Sequence, residues 1–398
     1  MTRHLARTFV IAGGLALLLP GPALAQRVQI DARATTEAGQ DLRDALREVA
    51  ASIAAAVRDI SADVAKELGH IDRDVARDVS KGVDDGLRGL SEMAKNGAWQ
   101  SERNWNAKAD DRQTRTLAIG ANGTLHVSNL SGDVRITAGG GRDASVEIIR
   151  RSRGRTEADA RLGLERVKAD VQVVGTRAIV KADYPNERNS PYSLSIDYVI
   201  TAPAGTRVSV SNVSGDIVVT GIKGELSVKT ISGSVSLNNV GTLTEAKTAS
   251  GDLKITGAST DGTLDVGTLN GDLVLSGIKA RRLTASTVSG DISARDVTAD
   301  SAELNTVSGD LSYSGPVAAG GRYSLTTHSG DVVFSPSGGA GFAVTATSIN
   351  GEVSSSVTLQ SSGGRNRRQS MTGTVGDGSA TVALKTFSGD ITVGAKRK

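Results

Sequence analysis

The chain has 398 residues with 46 basic and 43 acidic side chains, so its formal net charge of +3 is small for its length. This balance argues against a general electrostatic role on nucleic acid or on membranes. Aromatic residues make up only 3% of the chain, glycine is abundant at 47 and cysteine is absent, which excludes a disulfide framework and is unlike the core of a globular enzyme.

Residues 1–25 have the pattern of a secretory signal peptide. Two arginines precede an apolar run from Phe9 to Leu19, and the small residues of Ala23-Leu24-Ala25 predict a cleavage site. The apolar run is too short to span a bilayer, which takes about 20 residues. We therefore expect an exported protein of the periplasm, the cell surface or the extracellular space.

Residues 26–96 contain an amphipathic helical pattern that repeats every eleven residues: the apolar triplet at Leu42 recurs at Ile53 and Val64. Such a period predicts a nearly straight or slightly right-handed helix, and its apolar stripe needs a cover. The favoured cover is self-association into a coiled-coil stalk, which would make a homo-oligomer through residues 41–91. The alternatives are that the helical segment folds back on itself or docks on the β-rich part of the chain, or that it lies on a membrane. The mixed charges of the polar face argue against the membrane.

Residues 97–116 are polar and predict a linker. From Leu117 the apolar pattern has period two, which predicts a β-rich head over residues 117–205. One short helix interrupts the head from Thr156 to Val167, with Thr156 and Asp159 placed as a capping box.

Residues 206–398 repeat a short turn that also occurs once in the head. The turn reads Ser or Asn, then Gly, then Asp, Glu or Ser, and its ten copies begin at Ser131, Ser214, Ser232, Ser250, Asn270, Ser289, Ser308, Ser329, Asn350 and Ser388. From Gly215 to Gly351 the turn glycines are 18, 18, 20, 19, 19, 21 and 21 residues apart. The last gap, of 38 residues, predicts two periods, with one turn between them that lacks the Ser-Gly-Asp pattern.

Alternating apolar residues flank each turn, so each period predicts two short strands joined at the turn glycine. A unit of this size cannot bury its own apolar edge and must stack on its neighbours. The predicted fold is mainly β: a parallel β-solenoid (β-helix) of about ten coils with a β-rich head, preceded by a long N-terminal α-helical segment. A column of Thr or Ser three positions before the glycine predicts in-register stacking, with hydroxyl groups that bond one another.

The run from Tyr198 to Ile217, Tyr-Val-Ile-Thr-Ala-Pro-Ala-Gly-Thr-Arg-Val-Ser-Val-Ser-Asn-Val-Ser-Gly-Asp-Ile, precedes repeated Thr-x-Ser-Gly-Asp-Ile units. This pattern resembles the bacterial DUF4097 family of adhesin-like β-repeat proteins of unknown function, over about residues 115 to 398. The resemblance implies an exported, single-chain, β-helix-like domain. It brings no functional residue with it, and the word adhesin is a label of analogy.

The aspartates of the turns form the first group of candidate site residues. In register, neighbouring carboxylates would lie about 5 Å apart and repel by about 1 kcal/mol per pair even in water. Hydrogen bonding of each carboxylate to its own turn is the favoured explanation for this column. Calcium is the alternative metal, with oxygen ligands from the candidates Asp216, Asp252, Asp272, Asp291, Asp310 and Asp331.

Two arginine clusters form the second group. They are Arg150, Arg151, Arg153 and Arg155 before the short helix, and Arg365, Arg367 and Arg368 near the end of the chain. Guanidinium groups bind sulfate, phosphate or uronate groups of envelope polymers well. The alternative is that both clusters are solvated loops.

No nucleophile with a base, no metal-ligand spacing and no phosphate loop is recognisable, so we predict no catalytic residue and no cofactor. The predicted function is a non-enzymatic, exported β-solenoid scaffold or adhesin-like interaction protein of the bacterial cell envelope. Its partner would be an envelope polymer or protein and not nucleic acid. The alternative is a carbohydrate-active β-helix enzyme, similar to polysaccharide lyases or hydrolases.

Overall fold

The computed structural model describes residues 105–184, 190–357, 360–363 and 369–394. The predicted signal peptide, the helical segment 26–96 and the second arginine cluster lie outside the described residues. Within the described part, the chain forms 25 strands and one helix, so the predicted mainly β class is confirmed. No helix of this part is long and apolar enough to cross a membrane.

The strands range from 3 to 19 residues in length and follow one another along the chain with one helix among them. They are β1 (Ala107–Leu117), β2 (Thr124–Ser131), β3 (Val134–Gly139), β4 (Ala144–Gly154), α1 (Glu157–Arg166), β5 (Lys168–Val174), β6 (Arg177–Asp183), β7 (Tyr192–Pro203), β8 (Arg207–Ser214), β9 (Ile217–Thr220), β10 (Leu226–Ser232), β11 (Val235–Asn238), β12 (Leu243–Lys247), β13 (Leu253–Ser259), β14 (Thr263–Gly267), β15 (Leu273–Ser286), β16 (Ile292–Arg295), β17 (Thr298–Ser308), β18 (Leu311–Ser329), β19 (Val332–Gly339), β20 (Phe342–Asn350), β21 (Val353–Ser355), β22 (Gln360–Gly363), β23 (Gln369–Val375), β24 (Ala380–Ser388) and β25 (Ile391–Val393).

Two ladders of parallel strands run through the described chain. The first ladder holds the strands that precede the turns: β2, β8, β10, β12, β14, the second half of β15, β17, the second half of β18, β24 and β20. The second ladder holds those that follow them: β3, β9, β11, β13, the first half of β15, β16, the first half of β18, β19, β25 and β21. Each turn, with its two strands, is one rung.

Like residues pair with like because the pairing register follows the sequence period. Val235 pairs with Leu253, and Leu253 pairs with Leu273 one rung further on. These inward side chains are almost fully buried between the ladders. Stacking of rungs therefore buries the apolar edge that a single rung would leave in water.

The rungs near the C-terminal end are longer, and their interior holds large aromatic side chains. Tyr313 and Phe334 stack with ring centroids 5.5 Å apart, and Tyr323 and Phe342 pack against Phe334 at 6.1 and 5.8 Å. A longer rung encloses a wider interior, which must be filled to native density by larger side chains. This explains the position of these four of the eleven aromatic residues of the chain.

The head adds antiparallel strands at the start of both ladders. Strand β6 pairs with β2 in parallel and with β5 antiparallel, while β7 pairs with β3 in parallel and with β4 antiparallel. Helix α1 packs against β4, β1 and β7. The predicted short helix and its capping box are confirmed, since the Thr156 side chain accepts from the Asp159 backbone and the Asp159 side chain accepts from the Thr156 backbone.

The predicted linker is wrong for residues 107–116, which belong to strand β1. Its sequence lacks alternating apolar residues, but its backbone pairs with β4 along eleven residues. Cross-strand charges support this register: Arg112 forms an ion pair with Glu147 at 3.0 Å, and Arg150 forms one with Asp111. An alternation of apolar residues does not reveal a strand that is held to its neighbour by backbone pairing and by ion pairs.

The interpretation of the 38-residue gap is also wrong, because the described residues between Gly351 and Gly389 form no additional rung. Strands β22 and β23 form an antiparallel hairpin, and β23 pairs with the outer side of β20. The chain then returns, so that β24 pairs with β18 on one side and with β20 on the other. The rung of Gly389 therefore lies between the rungs of Gly330 and Gly351.

Candidate functional site at the turn edge

The ten turns line up along one side of the two ladders. We call this side the turn edge, and we include in it the residue that directly precedes each turn. Nine of the ten turn glycines have positive φ, as predicted, with values from +121° to +152°. A Cβ atom on Gly290 would lie 2.0 Å from the carbonyl oxygen of Gly271 in the rung below. Glycine is required here both by backbone conformation and by the close approach of successive rungs.

The turn aspartates form a ladder of hydrogen bonds between rungs, which is interrupted at Ser234 because serine offers no carboxylate to the next turn. The backbone N–H of Asp310 donates to Oδ1 of Asp291 at 2.8 Å, and the N–H of Asp331 donates to Oδ1 of Asp310 at 2.7 Å. The same bond recurs with donors Asp216, Ser234, Asp272, Asp291, Asp390 and Glu352. Each carboxylate thus fixes the height of the next turn.

The prediction that each carboxylate bonds its own turn is therefore wrong, since the partner is one rung away. The amide dipole of the next turn places partial positive charge between successive carboxylates, which offsets their repulsion. The aspartates named as calcium candidates, which include Asp252 and Asp272, all use Oδ1 in this way. Among the residues that the structure describes, no group of three or more His, Asp or Glu is arranged to hold a metal ion.

Sequence reasoning missed the residue that starts this ladder. Asp197 in β7 is paired beside Asp133, and its Oδ1 accepts the N–H of Asp133 at 3.0 Å. Arg151 forms an ion pair with the other carboxylate oxygen of Asp197. The signal was the alternation of Tyr198 and Ile200, which matches that of Val134 and Ile136 and places Asp197 level with Asp133.

The column of threonines is confirmed as a stacked column, but its bonding differs from the prediction. The hydroxyl of Thr287 donates to the carbonyl of Gly271 at 3.2 Å, and that of Thr306 donates to the carbonyl of Gly290 at 3.1 Å. The same contact to the glycine one rung below recurs for Thr248, Thr268, Thr327, Thr386 and Ser348. The hydroxyls bind glycine carbonyls rather than one another, because the buried turn carbonyl is the nearest acceptor.

An apolar row runs along the turn edge, one residue before each turn. In stacking order it is Leu130, Val213, Ile231, Ala249, Leu269, Val288, Val307, His328, Phe387 and Ile349. Val307 and Phe387 expose 49% and 43% of their surface. Single exposed apolar residues are ordinary, but here they follow one another from rung to rung beside a row of carboxylates, which makes the turn edge a candidate interaction surface.

His328 belongs to this apolar row. Its ring stacks on that of Phe387 with a centroid distance of 4.7 Å and an interplanar angle of 15°. The neighbouring Asp331 carboxylate accepts the backbone N–H of Asp390 at 2.8 Å. His328 thus extends the apolar surface, and this part of the edge does not assemble a nucleophile, a base and an orienting acid.

The first arginine cluster does not form a single binding site. Arg150 is directed inward, where it binds Asp111 and donates to the carbonyl oxygens of Leu164 at 2.8 Å and Val167 at 3.1 Å, so that it holds the end of α1 against β1. The hydrogen bond from Arg150 lowers the pKa of the Asp111 carboxyl. Arg151 forms an ion pair with Asp197, the first residue of the aspartate ladder. Of the cluster, Arg153 and Arg155 therefore remain as exposed candidates.

The model of the family described as Toastrack DUF4097 matches residues 122–394. The chain belongs to this family. The matched region begins just before β2 and ends just after β25, so the Toastrack DUF4097 region contains both ladders and every turn. No curated protein matches the chain.

Three solved structures are similar to this Toastrack DUF4097 chain. A candidate cell adhesion protein from Clostridium sporogenes is 12% identical, with 72% of this chain and all of that chain covered and a TM-score of 0.23. A candidate lipid binding protein from Parabacteroides distasonis is 15% identical, with 72% and 97% covered and a TM-score of 0.40. A candidate adhesin from Bacteroides fragilis is 13% identical, with 71% and 97% covered and a TM-score of 0.34. None of these similarities identifies a ligand for this chain.

Proposed function

We propose that this protein is a non-enzymatic, exported β-solenoid scaffold of the bacterial cell envelope, which binds an envelope partner through its turn edge in an adhesin-like way. The observation that supports this most is the apolar row beside the aspartate ladder. Ten rungs at about 4.8 Å each give a surface of about 43 Å between its first and last members. Such a surface offers many equivalent contacts, so that weak individual contacts can add up.

The aspartate and threonine bonds support this role because they hold the surface rigid. Val307 lies directly after Thr306, whose hydroxyl is bonded to Gly290, and shortly before Asp310, whose N–H is bonded to Asp291. A partner therefore meets side chains whose backbone is already fixed, and little conformational entropy is lost on binding.

Site-specific photo-crosslinking in the native envelope tests this proposal. A photoreactive residue at Val307 or Phe387 should form the same adduct, while one at Ser293, an outward position on the second ladder, should form none. Val307→Asp should abolish the adduct formed at Phe387, since it places a charge in the apolar row, and Ser293→Asp should leave it intact. Equal labelling at all three positions would contradict the proposal.

The non-enzymatic part of the proposal needs its own test. The mature protein is incubated with envelope polysaccharides, and new reducing or unsaturated ends are measured. We expect none above background. Turnover that disappears on replacement of one acidic residue would instead support the carbohydrate-active alternative.

We also propose that residues 41–91 join copies of the chain, so that several turn edges act together. Linking weak sites raises the overall affinity through effective concentration. Deletion of residues 41–91 should lower the oligomeric mass measured by sedimentation. An unchanged number of chains per particle would reject this part of the proposal.

A further inference from the structure

A second surface lies on the opposite side of the ladders, where each rung returns from the second ladder to the first. We call it the return edge. It carries a groove with a cavity volume of about 510 Å³ that crosses four successive rungs. One rung contributes Gly262 and Thr263, and the last contributes Gly320 and Arg322.

The groove exists because the four rungs differ in length. The two middle rungs, from Gly271 to Gly290 and from Gly290 to Gly309, have 19 residues each. The flanking rungs have 20 and 21 residues. The pairing registers shift between Ser259 and Thr263 and between Val317 and Arg322, so the additional residues lie at the return edge. Two short rungs between two longer ones leave a concave surface about three rung spacings long, or about 14 Å.

Hydrogen bonds from a buried tyrosine fix one wall of the groove. The hydroxyl of Tyr323 accepts the N–H of Ala318 at 2.9 Å and donates to the carbonyl of Ala299 at 2.7 Å. These bonds tie the long turn to the rung below it. The concave shape is therefore built into the rungs and does not depend on a ligand.

The charge of the groove is positive. Arg281, Arg282 and Arg322 line it and are exposed, and Asp300 is the acidic residue among its lining. Elsewhere on the first ladder, lysines pair with neighbouring acids, as Lys247 does with Asp265 at 2.6 Å. Within the described part of the chain, these three arginines form no such ion pair.

The spacing of the arginines suits a ligand with more than one acidic group. Arg282 pairs with Ser301, and Ser301 pairs with Arg322, so the two arginines lie two rungs or about 9.6 Å apart. When the two side chains extend side by side from the strands, their guanidinium groups lie about as far apart as their backbones. Two acidic groups on one extended chain can each receive a bidentate guanidinium contact.

The remaining lining indicates the class of that chain. Gly262 and Gly320 have no side chain at the two ends of the groove, so an extended polymer can pass through it, and a Cβ on Gly320 would meet nothing within 4 Å. Thr263 and Ser301 offer hydroxyl groups to a hydroxyl-rich ligand. No aromatic ring lines the groove to stack on a nucleobase, which argues against nucleic acid.

We infer that the return-edge groove binds a segment of an acidic polysaccharide, with Arg282 and Arg322 each holding a carboxylate or sulfate group and Arg281 assisting. This inference rests on the proposed binding function and gives it a ligand class at a second surface. The scaffold would then hold an envelope polymer at one edge and a partner at the other.

Calorimetric titration of the full chain tests the inference. The probes are a tetramer of galacturonate, a heparin-derived tetrasaccharide and a neutral galactose tetramer. We expect the acidic probes to bind, with affinity that falls as salt rises, and the neutral one not to bind. The double variant Arg282→Gln/Arg322→Gln should weaken binding by about tenfold per arginine, which corresponds to about 1.4 kcal/mol each. Arg135→Gln, an exposed arginine on the second ladder, is the matched control and should leave affinity unchanged.

Each outcome decides the question. Preference for galacturonate or for the heparin fragment distinguishes a carboxylate ligand from a sulfate ligand. Equal loss of affinity in Arg135→Gln, binding of the neutral tetramer, or tighter binding of a single-stranded oligonucleotide of equal charge would overturn the inference. Val307→Asp should not change this titration, so failure at the groove and failure at the turn edge can be told apart. A circular dichroism melt equal to that of the unmodified chain confirms that the variants are folded.

Discussion

Replacement of Gly290 by alanine should destabilise the protein by about 3–5 kcal/mol. The backbone of Gly290 has φ of +148°, and such a conformation costs a residue with a Cβ about 1–3 kcal/mol. The new Cβ would also lie 2.0 Å from the oxygen of Gly271, a backbone atom that cannot rotate away. The rungs of Gly271 and Gly290 must therefore part, which weakens ladder bonds between them such as the one from Gly271 N–H to Ser289 O at 2.9 Å, each worth about 1 kcal/mol.

Two other glycines separate these causes. Gly277 has φ of +63°, but its nearest neighbouring atom would lie 3.8 Å from a new Cβ, so Gly277→Ala should cost about 1 kcal/mol from backbone strain alone. Gly140 has no such strain and nothing within 4 Å of a new Cβ, so Gly140→Ala should stay within about 0.5 kcal/mol of the unmodified chain. Urea unfolding followed by circular dichroism gives the three free energies. If Gly290→Ala costs no more than Gly277→Ala, the close approach of rungs is not the constraint we describe.

Three further predictions concern charge. Asp291→Ala should lower the free energy of unfolding by about 1 kcal/mol, because it removes the acceptor for Asp310 N–H, whereas Asp291→Asn keeps an acceptor and should be nearly neutral; equal loss in both variants would assign the effect to charge instead. Arg150 lowers the pKa of Asp111, so this pair stabilises the fold above the ordinary aspartate pKa of 3.8, and its contribution is lost as the pH falls through the lower folded value. The difference in free energy of unfolding between Asp111→Asn and the unmodified chain should therefore shrink in acid. A difference that does not change with pH would refute the pairing. A calcium chelator should leave the melting temperature unchanged, since the turn carboxylates bind backbone amides, and a large decrease would restore the calcium alternative.

The sequence predicts the rungs well because the period appears directly in its residues. Turn glycines need positive φ, and apolar residues at fixed distances from them define the inward faces. The capping box at Thr156 is equally local. These features depend on neighbours within a few residues, so sequence patterns suffice to predict them.

The hydrogen-bond partners are not local, and there the predictions fail. The carboxylate of Asp291 fits its own turn and the next turn equally well on sequence grounds, and only the stacked backbone shows that Asp310 is the donor. Strand β1 is missed because charged partners hold it. The position of β24 is missed because the order of strands depends on which edge is left free, and the hairpin β22–β23 occupies the outer side of β20.

The groove at the return edge is a third kind of feature that the pattern hides. Rung lengths differ by only one or two residues, and the spacing of the turn glycines does not show that these differences shape a groove. Only when successive rungs are stacked do two short rungs between longer ones produce a concave surface. Arg282 and Arg322 are forty residues apart in the chain and lie two rungs apart in the structure.

Distances between spin labels test the stacking of rungs, on which both surfaces depend. Because the chain has no cysteine, labels can be placed at will. Ser236, Thr392 and Ser354 occupy one outward column of the second ladder. Label pairs Ser236→Cys/Thr392→Cys and Ser236→Cys/Ser354→Cys should differ by one rung, at about 29 and 34 Å. The shorter distance must belong to Thr392, although it lies later in the chain, and a shorter distance to Ser354 would contradict the account.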